Sequence, residues 1–112
     1  MKLIIHTKNI DLTPSIRALV EDKVGSVEKF IKPENVELAE ARVEVGKPSQ
    51  HHKSGMIYYA EINLKIGSRL LRAEAEHMEL EYAVVEARKD LERQIKKGKQ
   101  KKREVRRVQK RV

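Results

Sequence analysis

Met56-Ile57-Tyr58-Tyr59-Ala60-Glu61-Ile62-Asn63-Leu64-Lys65-Ile66-Gly67-Ser68-Arg69-Leu70-Leu71-Arg72-Ala73-Glu74-Ala75-Glu76 is the stretch on which the fold turns. Up to Ile66 it alternates. Met56, Tyr58, Ala60, Ile62, Leu64 and Ile66 point one way, and Ile57, Tyr59, Glu61, Asn63 and Lys65 point the other. A period of two belongs to a pleated strand, whose successive side chains leave opposite faces. Gly67-Ser68 is a two-residue hairpin signal. From Leu70 to Glu76 the alternation resumes, with Leu71, Ala73 and Ala75 inward and Arg72, Glu74 and Glu76 outward. The hairpin is apolar on one face and polar on the other, so only one face needs a cover.

Upstream, Val36 to Val45 alternates in its second half, setting Ala39, Ala41, Val43 and Val45 against Glu40, Arg42 and Glu44. Lys2 to Thr7 is short, apolar and β-branched, and reads as a further strand. Between them Thr13-Pro14 is a helix start, a hydroxyl N-cap before a proline at the first helical position. Ile16, Leu19, Val20, Val24, Val27 and Ile31 form its apolar stripe with Phe30 beside it, and Lys32-Pro33-Glu34-Asn35 ends it. Gly25 lies inside this predicted helix at a cost of ~1 kcal/mol relative to alanine. Downstream of the hairpin, Leu80, Ala83, Val84, Ala87, Leu91 and Ile95 recur at helical spacing. Arg88, Lys89, Arg93, Lys96 and Lys97 fall off that stripe and are expected to face solvent or a partner.

The order β-α-β-β-β-α predicts an α+β fold: a single domain with a four-stranded mixed sheet and two helices on one face. The strands joined by the first helix should be parallel, with a right-handed crossover. A polar loop, Gly46 to Gly55, projects from the sheet, and a basic extension follows the last helix.

Charge is distributed unevenly along this frame. Residues 96–112 hold ten basic residues and one acid, Glu104, whereas residues 1–95 hold fifteen basic and sixteen acidic residues. A nearly neutral body thus presents a polycation, which points to a polyanionic partner, nucleic acid first. The division expected is a binding body over residues 1–97 and a basic tail over 98–112, helical or disordered, with Gly98 as its hinge. Val105, Val108 and Val112 form a stripe too thin to bury alone. At 112 residues the chain is one domain with an aliphatic core. The absence of cysteine excludes disulfides, Cys-based zinc sites and thiol catalysis. No apolar run approaches the ~20 residues that span a bilayer. Met1 to His6 is too short for a signal peptide, so the expected location is cytoplasmic.

No catalytic constellation is visible, so an enzyme, a cofactor and a small-molecule substrate are not expected. His51-His52 lacks a third ligand nearby, and two adjacent histidines share no face, so no metal is expected. Glu74 and Glu76 belong to a strand. Glu79 and Glu81 stand at a helix start, where the macrodipole favours carboxylates. Tyr59 lies on the open face, where cross-strand packing competes with base stacking. His6 and His77 read as structural, and Tyr82 as packing.

Three stretches carry a resemblance: Asn9-Ile10-Asp11-Leu12-Thr13-Pro14-Ser15-Ile16-Arg17 continuing through Asp22-Lys23 to Glu28-Lys29-Phe30; Tyr59-Ala60-Glu61-Ile62-Asn63-Leu64 with the hairpin into Leu71-Arg72-Ala73; and Ala83-Val84 followed by Leu91-Glu92-Arg93-Gln94-Ile95-Lys96-Lys97. In this order the chain resembles the short ribosome hibernation promoting factors, also called ribosome-associated inhibitors. It departs from them at Glu79-Leu80-Glu81, where the family's helix commonly opens Asp-Met-Tyr, and at Gly98, where a larger residue is usual.

The resemblance implies the same β-α-β-β-β-α fold and binding to the small ribosomal subunit, in the channel used by mRNA and tRNA. Its members block translation reversibly in cells under stress or not growing, through basic side chains on ribosomal RNA. By position it implicates Lys23 and Lys29 on the first helix and Arg93, Lys96, Lys97, Lys99 and Lys101 on the second. With the cations off the helix stripe and in the tail, the expected RNA-binding set is Lys23, Lys29, Arg88, Lys89, Arg93, Lys96, Lys97, Lys99, Lys101, Lys102 and Arg103. Ribosome pairing would fall to another factor, since the tail is not the dimerisation domain of the long members. The rival reading is an adaptor whose tail addresses an acidic protein or an anionic membrane. The tail lacks bulky apolar anchors, so membrane is not the expected partner.

Overall fold

The structure, a computed structural model, describes residues 1–48 and 57–110, the last twelve of these by backbone course alone. The segment 49–56, with His51, His52 and Met56, lies outside the described residues, as do 111 and 112. The elements run β1 (Lys2–Lys8), α1 (Pro14–Gly25), a 3-10 turn (Ser26–Phe30), a second 3-10 turn (Pro33–Leu38), β2 (Ala39–Gly46), β3 (Tyr58–Ile66), β4 (Arg69–His77) and α2 (Leu80–Lys110). The sheet order is β1-β2-β3-β4. β1 is parallel to β2, and the other two pairs are antiparallel, as the order of elements requires.

Register brings the apolar sets into line. Leu3 pairs with Ala41 and Ile5 with Val43; Val43 then opposes Ile62, and Ile62 opposes Ala73. The aliphatic face built this way is closed by Val20, Val24 and Val27 from the α1 side and by Ala83, Val84, Ala87, Leu91 and Ile95 of α2. Among the described residues no polar or charged side chain is buried in that core. Its cohesion is therefore aliphatic burial and close packing.

Local chemistry sets the joints. The Thr13 hydroxyl accepts from the Ile16 backbone N–H at 3.1 Å, with Pro14 opening α1. Gly67 takes φ 60° at the first central position of the β3–β4 hairpin, a conformation glycine adopts without steric cost. Asn9 also has φ 60°, and its side-chain amide donates to the Lys47 carbonyl at 2.8 Å, tying the end of β1 to the end of β2.

Several boundaries differ from those read in the sequence. The α-helix ends at Gly25 and the stripe continues through Val27 on a 3-10 turn, so Gly25 closes the helix instead of interrupting it. β2 begins at Ala39 because Pro33 to Leu38 form a 3-10 turn, and Leu38 is exposed. β3 starts at Tyr58, leaving Ile57 outside the strand. Gly98 does not break the last helix, whose backbone runs on to Lys110.

The two ends of the burial scale give a test. Leu91 is fully buried, whereas Leu70 is 75% exposed on β4. Leu91→Ala should cost about 2–5 kcal/mol, while Leu70→Ala should stay within about 0.5 kcal/mol. Urea unfolding of both variants measures the contrast.

Candidate nucleic-acid interface

The core stripe of α2 dictates where its cations go. With Val84, Ala87, Leu91 and Ile95 buried, Lys89, Arg93, Lys96 and Lys97 all emerge exposed, within about 100° of one another around the helix axis. Arg93 is 72% exposed, with its guanidinium 3.9 Å from Asp90. An exposed pair at that distance holds little, so this guanidinium is available to a phosphate.

Beside this face, α2 meets the 3-10 turn that follows α1. The Phe30 ring lies there with the Lys29 ammonium 5.2 Å and the Lys96 ammonium 5.0 Å from its centroid, both in cation–π range. Lys96 Nζ also donates to Glu92 Oε1 at 2.8 Å, and Arg88 Nη1 to Glu92 Oε2 at 3.4 Å. The Lys96 hydrogen bond is the main reason the Glu92 carboxyl is held below the usual glutamate range, with the Lys96, Arg88 and Lys29 charges adding to it against partial burial. A lowered carboxyl pKa makes this linkage stabilising above the ordinary value of 4.5, and it is lost as pH falls through the folded-state value.

Not every residue expected at RNA stands on this surface. Arg88 was expected to face out, but its side chain is only 19% exposed and its Nε is buried without a hydrogen-bond partner. Helical spacing puts it at the edge of the stripe, one residue from Ala87, where α2 turns toward the core. Lys23 sits beside Asp22 at 3.6 Å, and no contact joins it to the Phe30 group among the described residues. The backbone at Lys99, Lys101, Lys102 and Arg103 is helical, while their side chains lie outside the description.

The sequence reading assigned no role to Phe30 beyond packing, to Glu92 or to Arg69. Arg69 Nη2 donates to the Gln94 carbonyl at 3.4 Å, and its guanidinium lies where a side chain on Gly98 would have to go. Gln94 in turn donates to the Arg72 carbonyl at 2.7 Å and to Asp90 at 3.1 Å, so α2 is laced to the start of β4. Glycine at 98 is thus the counterpart of Arg69, a pairing that only the folded register reveals.

The open face of the sheet carries charges of both signs, with its carboxylates partly gathered in a row. His6, Glu44, Glu61 and Glu74 are register partners in one row across all four strands. Like charges directly opposite are unfavourable, and contacts from Arg72 and Tyr59 relieve them. Arg72 reaches both Glu61 and Glu74 at 3.4 Å, and the Tyr59 hydroxyl donates to Glu44 at 2.9 Å. Burial, that hydrogen bond and the two nearby carboxylates push the Tyr59 phenol up to about 12. Tyr59 is therefore tied into a carboxylate row, a poor place for a nucleic-acid base to stack. At the far end of this sheet, His77 Nδ1 accepts from the Glu79 backbone N–H at 3.0 Å and its ring lies 5.0 Å from that of Tyr82. Among the described residues no cluster of three metal-ligating side chains occurs.

A family model described as Sigma 54 modulation protein / S30EA ribosomal protein matches residues 3–103. The chain belongs to that family. This agrees with the hibernation-factor resemblance carried by its sequence. Among solved structures, the N-terminal domain of Thermus thermophilus Protein Y superposes with a TM-score of 0.69 at 26% identity, covering 87% of this chain and 98% of that one. A ribosomal subunit interface protein from Coxiella burnetii gives a TM-score of 0.69 at 21% identity, covering 88% and 98%. The second likeness speaks for the fold, while the family match takes in the four strands, α1 and α2 as far as residue 103.

The carboxylate row gives its own prediction. Below pH 10 the raised phenol pKa leaves stability intact, and between 10 and about 12 the folded state loses stability as unfolded tyrosine ionises first. Following tyrosinate absorbance, the wild type should show one phenol titrating near 12. Glu44→Gln should bring it down toward 10 without reaching it, because burial and Glu61 remain.

Proposed function

We propose that this protein is a ribosome hibernation factor that docks on the small ribosomal subunit, in the channel used by mRNA and tRNA, and reversibly inhibits translation. The observation that carries the reading is the segregation of charge around α2. One side of that helix is buried in the core, and the side facing away presents Lys89, Arg93, Lys96 and Lys97 against one exposed acid, Glu86. Cations on an element fixed by its own core lose less conformational freedom on meeting phosphates than cations on a loop. Membership of a ribosomal protein family supplies the polyanion.

The mechanism is occlusion. A folded body fills a channel walled by phosphates, and no bond is made or broken, so neither cofactor nor catalytic residue enters. The open sheet face, where charges of both signs balance, offers a phosphate wall less attraction than the α2 face. The body, residues 1–97, selects the place, and the tail, residues 98–112, adds phosphate contacts there. The ribosome places the protein in the cytoplasm.

Two experiments address this. Purified protein added to a cell-free translation system should inhibit synthesis, and excess initiation components should relieve the inhibition by competing for the channel. Inhibition untouched by that competition contradicts the channel. For the tail, each neutralised phosphate steepens the dependence of log K on log salt by roughly 0.7 to 0.9. Replacing the eight basic residues between Lys99 and Arg111 by glutamine should flatten that slope by several units and leave the footprint on the small subunit where it was. A displaced footprint would make the tail the selector.

A further inference from the structure

Glu92 is an anion on the flank that the preceding reading turns toward RNA. On charge alone it should weaken binding. Its surroundings argue otherwise. Its two oxygens accept from different cations, Lys96 at 2.8 Å and Arg88 at 3.4 Å, and its side chain is only 21% exposed. Arg88 is nearly as covered at 19%, and it reaches toward Glu92 from one turn earlier on the same helix. The carboxylate is therefore held from behind by Arg88 and itself holds Lys96. Across the groove the Phe30 ring takes Lys96 on one contact and Lys29 on another. Two lysines from separate elements are held no more than about 10 Å apart by a shared ring, a span that two successive backbone phosphates can bridge.

We propose that Glu92 is a positioning residue, and that with Phe30 it sets Lys29 and Lys96 as a fixed pair of cations for neighbouring backbone phosphates of the bound RNA. The proposal rests on the RNA-binding reading above. A lysine in water has a long, freely rotating stem, and ordering that stem at an interface weakens binding. Glu92 and Phe30 order Lys96 before RNA arrives. An ammonium has three N–H donors, so the one given to Glu92 leaves two for phosphate oxygens. Arg88 is then a buttress that orients Glu92, which accounts for its burial.

The test uses the full-length protein and small ribosomal subunits, with affinity measured over a range of salt. Glu92→Gln keeps the shape and removes a negative charge. A carboxylate that only repels RNA would give tighter binding when removed, whereas a positioning carboxylate gives weaker binding, by about two- to tenfold, the scale of ordering one long side chain. In a Lys96→Ala background the same change should have no further weakening effect, because Glu92 acts through Lys96. Glu92→Asp retracts the carboxylate and keeps the net charge, so it reads position alone and should also weaken binding. It serves as the readout if loss of the Arg88 partner unfolds the glutamine variant. Tighter or unchanged binding in Glu92→Gln, or wild-type affinity in Glu92→Asp, overturns the proposal and leaves the RNA-binding reading standing. Failure of the wild type to bind small subunits overturns both.

Discussion

The burial of one stripe of α2 against β3 and β4 is the contact on which the rest depends. Ala83, Val84, Ala87, Leu91 and Ile95 occupy that side at no more than 2% exposure. Rotating the helix to expose any of its cationic positions differently would lift one of these from the core. Each large aliphatic side chain so lifted forfeits about 1.5–3 kcal/mol. The cations on the opposite side are therefore placed by residues that never meet the partner. The same burial aligns Gln94 with the Arg72 carbonyl and Arg69 with Gly98, so polar contacts confirm a register that the aliphatic ones impose.

A nearly neutral body with a basic end has to keep its acids from cancelling its function. Topology does part of this. The row of His6, Glu44, Glu61 and Glu74 sits on the sheet face that the helices leave open. The α2 cations emerge on the other side of the core. Local pairing softens the repulsion within the row, through Arg72 and the Tyr59 hydroxyl, and does not reverse its sign. Of the acids near the RNA-facing cations, Glu92 is enclosed by Arg88 and Lys96, whereas Glu86 stands exposed among them.

Much of this was legible without coordinates because the signals were periodic. The alternation from Tyr58 to Ile66 and the stripe from Leu80 to Ile95 each span several repeats, so strand pairing, helix face and parallel crossover followed from them. Thr13-Pro14 and Gly67-Ser68 were legible for another reason, since each carries its backbone geometry in its residue type. The shorter signals were less decisive. Val36 to Leu38 is apolar enough for a strand, but Pro33 commits the chain to a 3-10 turn, and strand pairing begins only at Ala39. The interface was half readable. Helical spacing put Lys89, Arg93, Lys96 and Lys97 outside, yet Arg88, at the edge of the stripe, is largely covered, which spacing along one helix does not decide. Phe30 bringing Lys29 to Lys96 is a contact across two elements, which no local pattern encodes.

The central claim is that the cationic side of α2 faces RNA while the open sheet face does not. The chain has no cysteine, so a single one can be introduced at will and tethered to an iron chelate that cuts nearby RNA. Glu86→Cys lies on the helix face of Lys89 and Arg93 without belonging to the proposed contacts, and Asn63→Cys lies in the middle of the open sheet. On small ribosomal subunits the probe at position 86 should cut ribosomal RNA strongly at a discrete set of sites, and the probe at position 63 should cut weakly or elsewhere. Strong discrete cutting from position 63, with little from 86, would contradict the account.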